Sequence, residues 1–144
     1  FEFQMSPTDA FPPGGHPPSE WETAHSPSDM QLISGSPDRI LLSWSSPNLI
    51  ENRWLRITMK ATPATGLASP RVYYVGHLLG EIDGESNGIF SVSFADLSLI
   101  RGQIGNSVTS ESIFDINKSG AVSFADISAM RSAIGQQLTV ISVP

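Results

Sequence analysis

The sequence predicts a mixed fold, with the short β-strands of an incomplete β domain followed by a mainly α pair of loop–helix repeats. Three observations carry that prediction. The chain says nearly the same thing twice, SVSFADLSLIRGQIG from Ser91 to Gly105 and AVSFADISAMRSAIG from Ala121 to Gly135, and each SFAD leads into apolar residues at helical spacing. Upstream, DRILLSW, NRWLRITMKA and RVYYVG are short β-rich runs bounded by turn-forming residues. Before them lies a stretch dense in proline, glycine, serine and threonine.

Taken in order, residues 1–37 read as a Pro-rich linker or irregular segment. Pro7, Pro12, Pro13, Pro17, Pro18 and Pro27 each remove an N–H donor and fix φ, which argues against a helix or an inner strand there. Residues 38–76 read as the end of a β domain. Trp54, Arg56, Thr58 and Lys60 alternate with Leu55, Ile57, Met59 and Ala61, the period-two pattern of a strand with one buried face. Three strands cannot close a sandwich, so they are the last strands of a larger β domain or a small sheet that needs a partner. Residues 77–144 hold the repeat. Leu97, Ile100 and Ile104 share one helical face, as do Ile127, Met130 and Ile134, and Gly105 and Gly135 stand where helices end. Helices of two to three turns are marginal alone, so the two stripes are expected to pack on each other. The closing LTVISVP is strand-like and is expected to cover that small core.

Composition narrows the function. The chain of 144 residues has a formal net charge of −6 and very little lysine, which argues against nucleic acid as a partner. No apolar run is long enough for membrane insertion. It begins at Phe1 with no visible signal peptide and reads as the tail of something longer. With no cysteine, disulfides, thiolate metal sites and Cys nucleophiles are excluded. A small secreted domain without disulfides needs another staple, and a bound metal is one of the few available.

The stretch before the second SFAD helix is DINKSGAVSFAD, Asp115 to Asp126. Numbered as a twelve-residue calcium loop, it places Asp115, Asn117 and Ser119 at positions 1, 3 and 5. Gly120 sits at the sharp turn of position 6, the carbonyl of Ala121 at position 7 and the Asp126 carboxylate at position 12. Calcium is a hard cation that takes about six to eight oxygens at roughly 2.3–2.6 Å. Oxygens on alternate residues of a tight loop point to one side. The last carboxylate returns from the first turn of a helix, where negative charge is favoured. Position 12 is Asp rather than Glu, and no entering helix precedes Asp115. The duplicated D-x-N-x-S-G-x-V-S-x-x-D unit resembles the type I dockerin repeat, over roughly Gly80 to Gly135.

The first copy departs from this spacing. Aligned on SVSFAD, a twelve-residue count puts Ile89 and Phe90 where a ligand and a tight turn are needed. DGESNG fits better, with Asp83, Glu85 and Asn87 as alternate oxygens, Gly88 as the turn and Asp96 closing a loop two residues longer. The strands upstream resemble the junction by which such repeats hang from the end of large secreted bacterial proteins. The dockerin resemblance implies bound calcium (Ca2+), a location outside the cell or at its surface, and a cohesin-like or cell-surface partner. Dockerin contacts lie largely at loop positions 10 and 11, often Ser or Thr. Here those positions hold Phe94 with Ala95 and Phe124 with Ala125, with Arg101 and Arg131 further along the helices. Two readings stay open for the phenylalanines: filling the small core, or serving a different partner.

Competing chemistry is weak. The acidic residues Asp83, Glu85, Asp115 and Asp126 are also common in solvated turns. Asn117-Lys-Ser fits a glycosylation acceptor by chance composition. His16, His25 and His77 share no ligand spacing, and Glu20 and Glu22 lie in the irregular segment. Trp44 and Trp54 read as sheet core rather than a sugar platform. No nucleophile elbow, phosphate-binding glycine loop or zinc-protease motif is present. The expected function is a non-catalytic, calcium-binding, dockerin-like module for protein–protein attachment in a secreted multidomain protein. The alternative is the C-terminal fragment of a secreted hydrolase, such as one acting on polysaccharide, with its catalytic domain upstream.

Overall fold

The computed structural model describes residues 1–7, 18–109 and 111–141. His16, Pro12, Pro13 and Pro17 and the last three residues of the closing run lie outside that set. The described residues divide into two units at His77 and Leu78, the first also holding residues 1–7 and 18–37.

The first unit is built from β1 (Glu2–Met5), a short 3-10 turn (Pro18–Glu20), β2 (Glu22–Thr23), β3 (Asp29–Ile33), β4 (Arg39–Ser43), β5 (Arg53–Met59) and β6 (Arg71–His77). Four strands form an antiparallel sheet in the order β2-β1-β5-β6, and β3 and β4 form a separate hairpin. The linker reading of residues 1–37 is therefore corrected. Three strands lie within that range, and β1 is an inner strand between β2 and β5. The reason is positional: Glu2–Met5 ends before Pro7 and Asp29–Ile33 starts after Pro27, so the ladder donors of both strands remain.

One face of the sheet buries Phe3, Ala24 and Leu55, with Leu42, Trp44 and Ile57 packed against them. Trp44 stands edge-on to Phe3 at 5.6 Å and gives its indole N–H to the carbonyl of His25 (2.8 Å). Trp21 meets Tyr74 edge-on at 5.8 Å, and the Trp54 ring lies so close to Gly76 that a Cβ there would stand 3.0 Å from it. The alternation of β5 thus leaves neither face bare: Trp54 and Leu55 are both buried.

The second unit contains β7 (Ile89–Ser91), α1 (Phe94–Arg101), α2 (Phe124–Ala133) and β8 (Gln137–Thr139). The expected mainly α pair is overturned. Strand outweighs helix in the described chain, whose largest element group is the four-stranded antiparallel sheet, and the repeat itself holds helices of only eight and ten residues. Loops consume the rest, because the acidic segments spend their backbone donors on carboxylates instead of on helical carbonyls. The helices also stop early. Gly102 caps α1, so Ile104 falls outside it and is partly exposed, and Gly105 (φ 89°) turns the chain later. Gly135 (φ 90°) does follow directly on the α2 cap, Ile134.

What joins the repeats is reciprocal. Val92 N–H donates to Gln136 O (3.0 Å) while Gly135 N–H donates to Val92 O (2.9 Å). In the other copy Val122 N–H donates to Asn106 O (3.0 Å) while Gly105 N–H donates to Val122 O (2.9 Å). Each SFAD unit is thus clasped by the segment that follows the other helix, an approximate two-fold relation. Leu97, Ile100, Ile127 and Met130 are buried, as the apolar stripes require, and α1 and α2 touch. β8 pairs with β7 and buries Leu138.

Candidate metal centre

Each helix begins in the same way. Ser93 and Ser123 are the N-caps, and their hydroxyls accept from Ala95 N–H and Ala125 N–H (3.0 and 3.2 Å). Three residues on, Asp96 and Asp126 complete capping boxes by accepting from the cap N–H groups (2.8 and 2.9 Å). Both carboxylates are fully buried, and both reach back into the loop that precedes them. Asp126 Oδ1 accepts from Asn117 N–H (3.0 Å), whereas Asp96 Oδ1 accepts from Ile82 N–H (2.7 Å) and Asp83 N–H (3.1 Å).

That shared contact sets the register of the first loop. Asp83 stands where Asn117 stands, which brings Glu81 into the place of Asp115 and Glu85 into that of Ser119. The first loop therefore opens at Glu81, two residues before the expected Asp83. Glu81, Asp83 and Asp96 offer carboxylate oxygens within 4.8 Å of one another. Two oxygens bound to one calcium at about 2.3–2.6 Å stand at most about 5 Å apart, so the spacing suits a shared hard cation. Sequence reasoning missed Glu81, although Glu81-Ile82-Asp83 echoes Asp115-Ile116-Asn117 residue by residue.

Asn87 and Gly88, expected as a ligand and the loop's sharp turn, serve another purpose. Ser86 and Ile89 exchange backbone hydrogen bonds (2.9 and 3.1 Å) around them, and both have positive φ (55° and 81°). This is the two-residue Asn-Gly hairpin turn, whose twist suits the flanking strands. Glu85 turns its carboxylate to the Gly88 N–H, and the Asn87 amide donates to Ser86 Oγ (3.3 Å). The extra residues of the first loop are thus a small hairpin inserted between the acidic cluster and β7.

The second loop holds its expected residues close together by a different network. Buried Asp115 accepts from Ser119 N–H (3.0 Å) and Gly120 N–H (2.7 Å), and Gly120 has the positive φ (92°) its turn demands. Asn117 Oδ1 also accepts from Ser119 N–H (3.0 Å), and the Ser119 hydroxyl donates to Ala121 O (3.2 Å). Two carboxylates face this loop against three in the first.

Electrostatics separates the members. Burial pushes the Asp96 carboxyl up, but donation from Ser93, Ile82 and Asp83 outweighs it and holds the group below the ordinary carboxylate range. Asp126 is held low in the same way, burial being overcome by the N–H groups of Asn117 and Ser123 and the Ser123 hydroxyl. Glu81 moves the other way. Burial raises it, the Gly84 N–H lowers it, and the charges of Asp96 and Asp83 raise it further. A carboxylate that resists ionising beside two others is a group that a divalent cation would relieve.

Phe94 and Phe124 do not fill the core. They are 72% and 75% exposed, as the first residues of their helices. At about 100° per residue, Phe94 points roughly 110° away from the middle of the stripe formed by Asp96, Leu97 and Ile100. No described helix is long and apolar enough to cross a membrane. Compared with known protein families, curated proteins and solved structures, the chain matches none.

Proposed function

We propose that residues 78–141 act as a calcium-binding, non-catalytic attachment module, dockerin-like in its loops and not in helix content, within a secreted or cell-surface protein. The grouping of Glu81, Asp83 and Asp96 at the start of α1 carries this reading. It is supported by the parallel placement of Asp115, Asn117 and Asp126 at the start of α2. Calcium would neutralise clustered carboxylates that repel one another and would stabilise the folded form by mass action. Extracellular calcium is abundant enough to occupy even a weak site. The partner face would be the exposed start of each helix, with Phe94 and Phe124 in place of small hydroxyl residues and Arg101 and Arg131 two turns on. A cohesin-like or cell-wall protein fits that role.

The test is calorimetric titration of the chelator-treated full chain with calcium, beside Glu81→Gln and Asp115→Asn. Two binding events are expected, each variant losing a different one. No heat in the wild-type chain, with thermal melting unchanged by calcium, would end the reading.

A further inference from the structure

We propose that the free edge of β6 pairs with β6 of a second copy of this chain, joining two four-stranded sheets into one continuous sheet. Among the described residues β6 has one neighbour, β5, and is the outermost strand of the order β2-β1-β5-β6. The opposite edge, β2, is only two residues long, which blunts it. β6 has no such protection. It runs for seven residues, Arg-Val-Tyr-Tyr-Val-Gly-His, without proline or lysine, and Arg71 at its very start is its only Lys, Arg, Asp or Glu. Val72, Tyr73 and Val75 are 40%, 50% and 49% exposed. A long, mainly apolar edge whose one Lys, Arg, Asp or Glu stands at its end is a template for another strand, because its outward N–H and C=O groups lack sheet partners among the described residues.

The strand's own sequence selects a second copy as the occupant. A two-fold axis perpendicular to the sheet keeps each face on its own side, so the pairing must centre on a residue and not between two. Centred on Tyr74, it sets Tyr73 opposite Val75 of the second copy, twice, and Val72 opposite Gly76, twice. Tyr73 opposite Val75 is an aromatic–β-branched pair, of the kind that stabilises antiparallel sheets. Glycine opposite valine relieves crowding, and Arg71 falls at the far ends, away from the axis. The apolar face also becomes continuous. Val75 and Tyr73 already lie beside Leu55 and Ile57 across the β5–β6 ladder, and the symmetric pairing extends that strip into the second sheet. The β3–β4 hairpin exposes Met30 and Leu32 as well, but each of its strands has five residues against the seven of β6.

Sedimentation velocity of the full chain should show mass rising from one chain to two as concentration increases to roughly 100 μM. Tyr73→Lys, at a half-exposed position, should weaken association at least tenfold with the circular dichroism spectrum unchanged, and Leu32→Lys should not. The chain has no cysteine, so Tyr74→Cys gives a clean second readout. Under mild oxidation it should form a chain-to-chain disulfide, whereas Val72→Cys, whose two copies stand about 14 Å apart in this register, should not. A single-chain mass throughout, association lost in Leu32→Lys but not in Tyr73→Lys, or crosslinking through Val72→Cys in preference to Tyr74→Cys would each overturn the proposal.

Discussion

The loop from Glu81 to Asp96 and the loop from Asp115 to Asp126 end alike and begin differently. Both finish in a serine N-cap and a fully buried aspartate that accepts from the cap and from the loop's third position. The second loop fills its opening with backbone donors, two of them on Asp115, and folds tightly around Gly120. The first spends extra residues on a hairpin and leaves three carboxylates facing one another. Regularity of spacing and suitability for a cation are therefore separable. The loop that matches the twelve-residue pattern has the better-satisfied carboxylates, and the irregular one has the higher local charge.

The largest expected effect tests what the two loops share. Asp96→Ala should cost about 3 kcal/mol of unfolding free energy, because it strips a helix cap and leaves buried donors without an acceptor. Asp126→Ala should cost somewhat less, since one loop N–H reaches it against two for Asp96. Urea denaturation monitored by circular dichroism measures both, and an inverted order would show that the first loop is the looser of the two.

Ser93→Ala and Ser123→Ala should each cost about 1 kcal/mol and by similar amounts, since the caps are built alike. A large inequality in their urea midpoints would break the equivalence of the two helix starts.

Acid titration of the calcium-free chain sharpens the contrast between Glu81 and the two aspartates. Asp96 and Asp126 lie below their ordinary value of 3.8, so their stabilisation is full above that value and is lost as pH falls through their lower folded values. Glu81 lies above its ordinary 4.5, so its effect has the opposite sign: stability is full below 4.5 and is lost as pH rises through the higher folded value. Melting temperature should thus rise as the pH is lowered from neutral toward 4.5 and fall below 3.8. Glu81→Gln should flatten the first limb alone, and a limb that survives it would assign the repulsion elsewhere.

The smallest effect is expected from the exposed aromatics. Phe94→Ser and Phe124→Ser should each change stability by no more than about 0.5 kcal/mol, because neither side chain is packed inside. A loss of several times that in either melting curve would place the ring in a contact.

Much of the repeat is legible because it is local. The two SFAD segments each set an aspartate in the first turn of a helix, and Leu97, Ile100, Ile127 and Met130 declare the buried stripes through spacing alone. The runs at β4, β5 and β6 declare themselves through composition. β1 is not legible in this way, since four residues before a proline-rich stretch carry too little pattern, and it becomes a strand by pairing with β5 far along the chain. Glu81 was hidden for a related reason. Counting from the glycine turn favours Asn-Gly, and local sequence does not distinguish a turn that wraps a cation from one that closes a hairpin. The sequence by itself determined where the two helices start, the apolar stripes and which segments concentrate oxygen-bearing side chains, because each depends on neighbours a few residues away. Only the tertiary structure decided which of those oxygens meet, through the N–H groups of Ile82 and Asp83 reaching Asp96, and how little of the repeat is helix, because long-range backbone pairing claims the donors and the strands first.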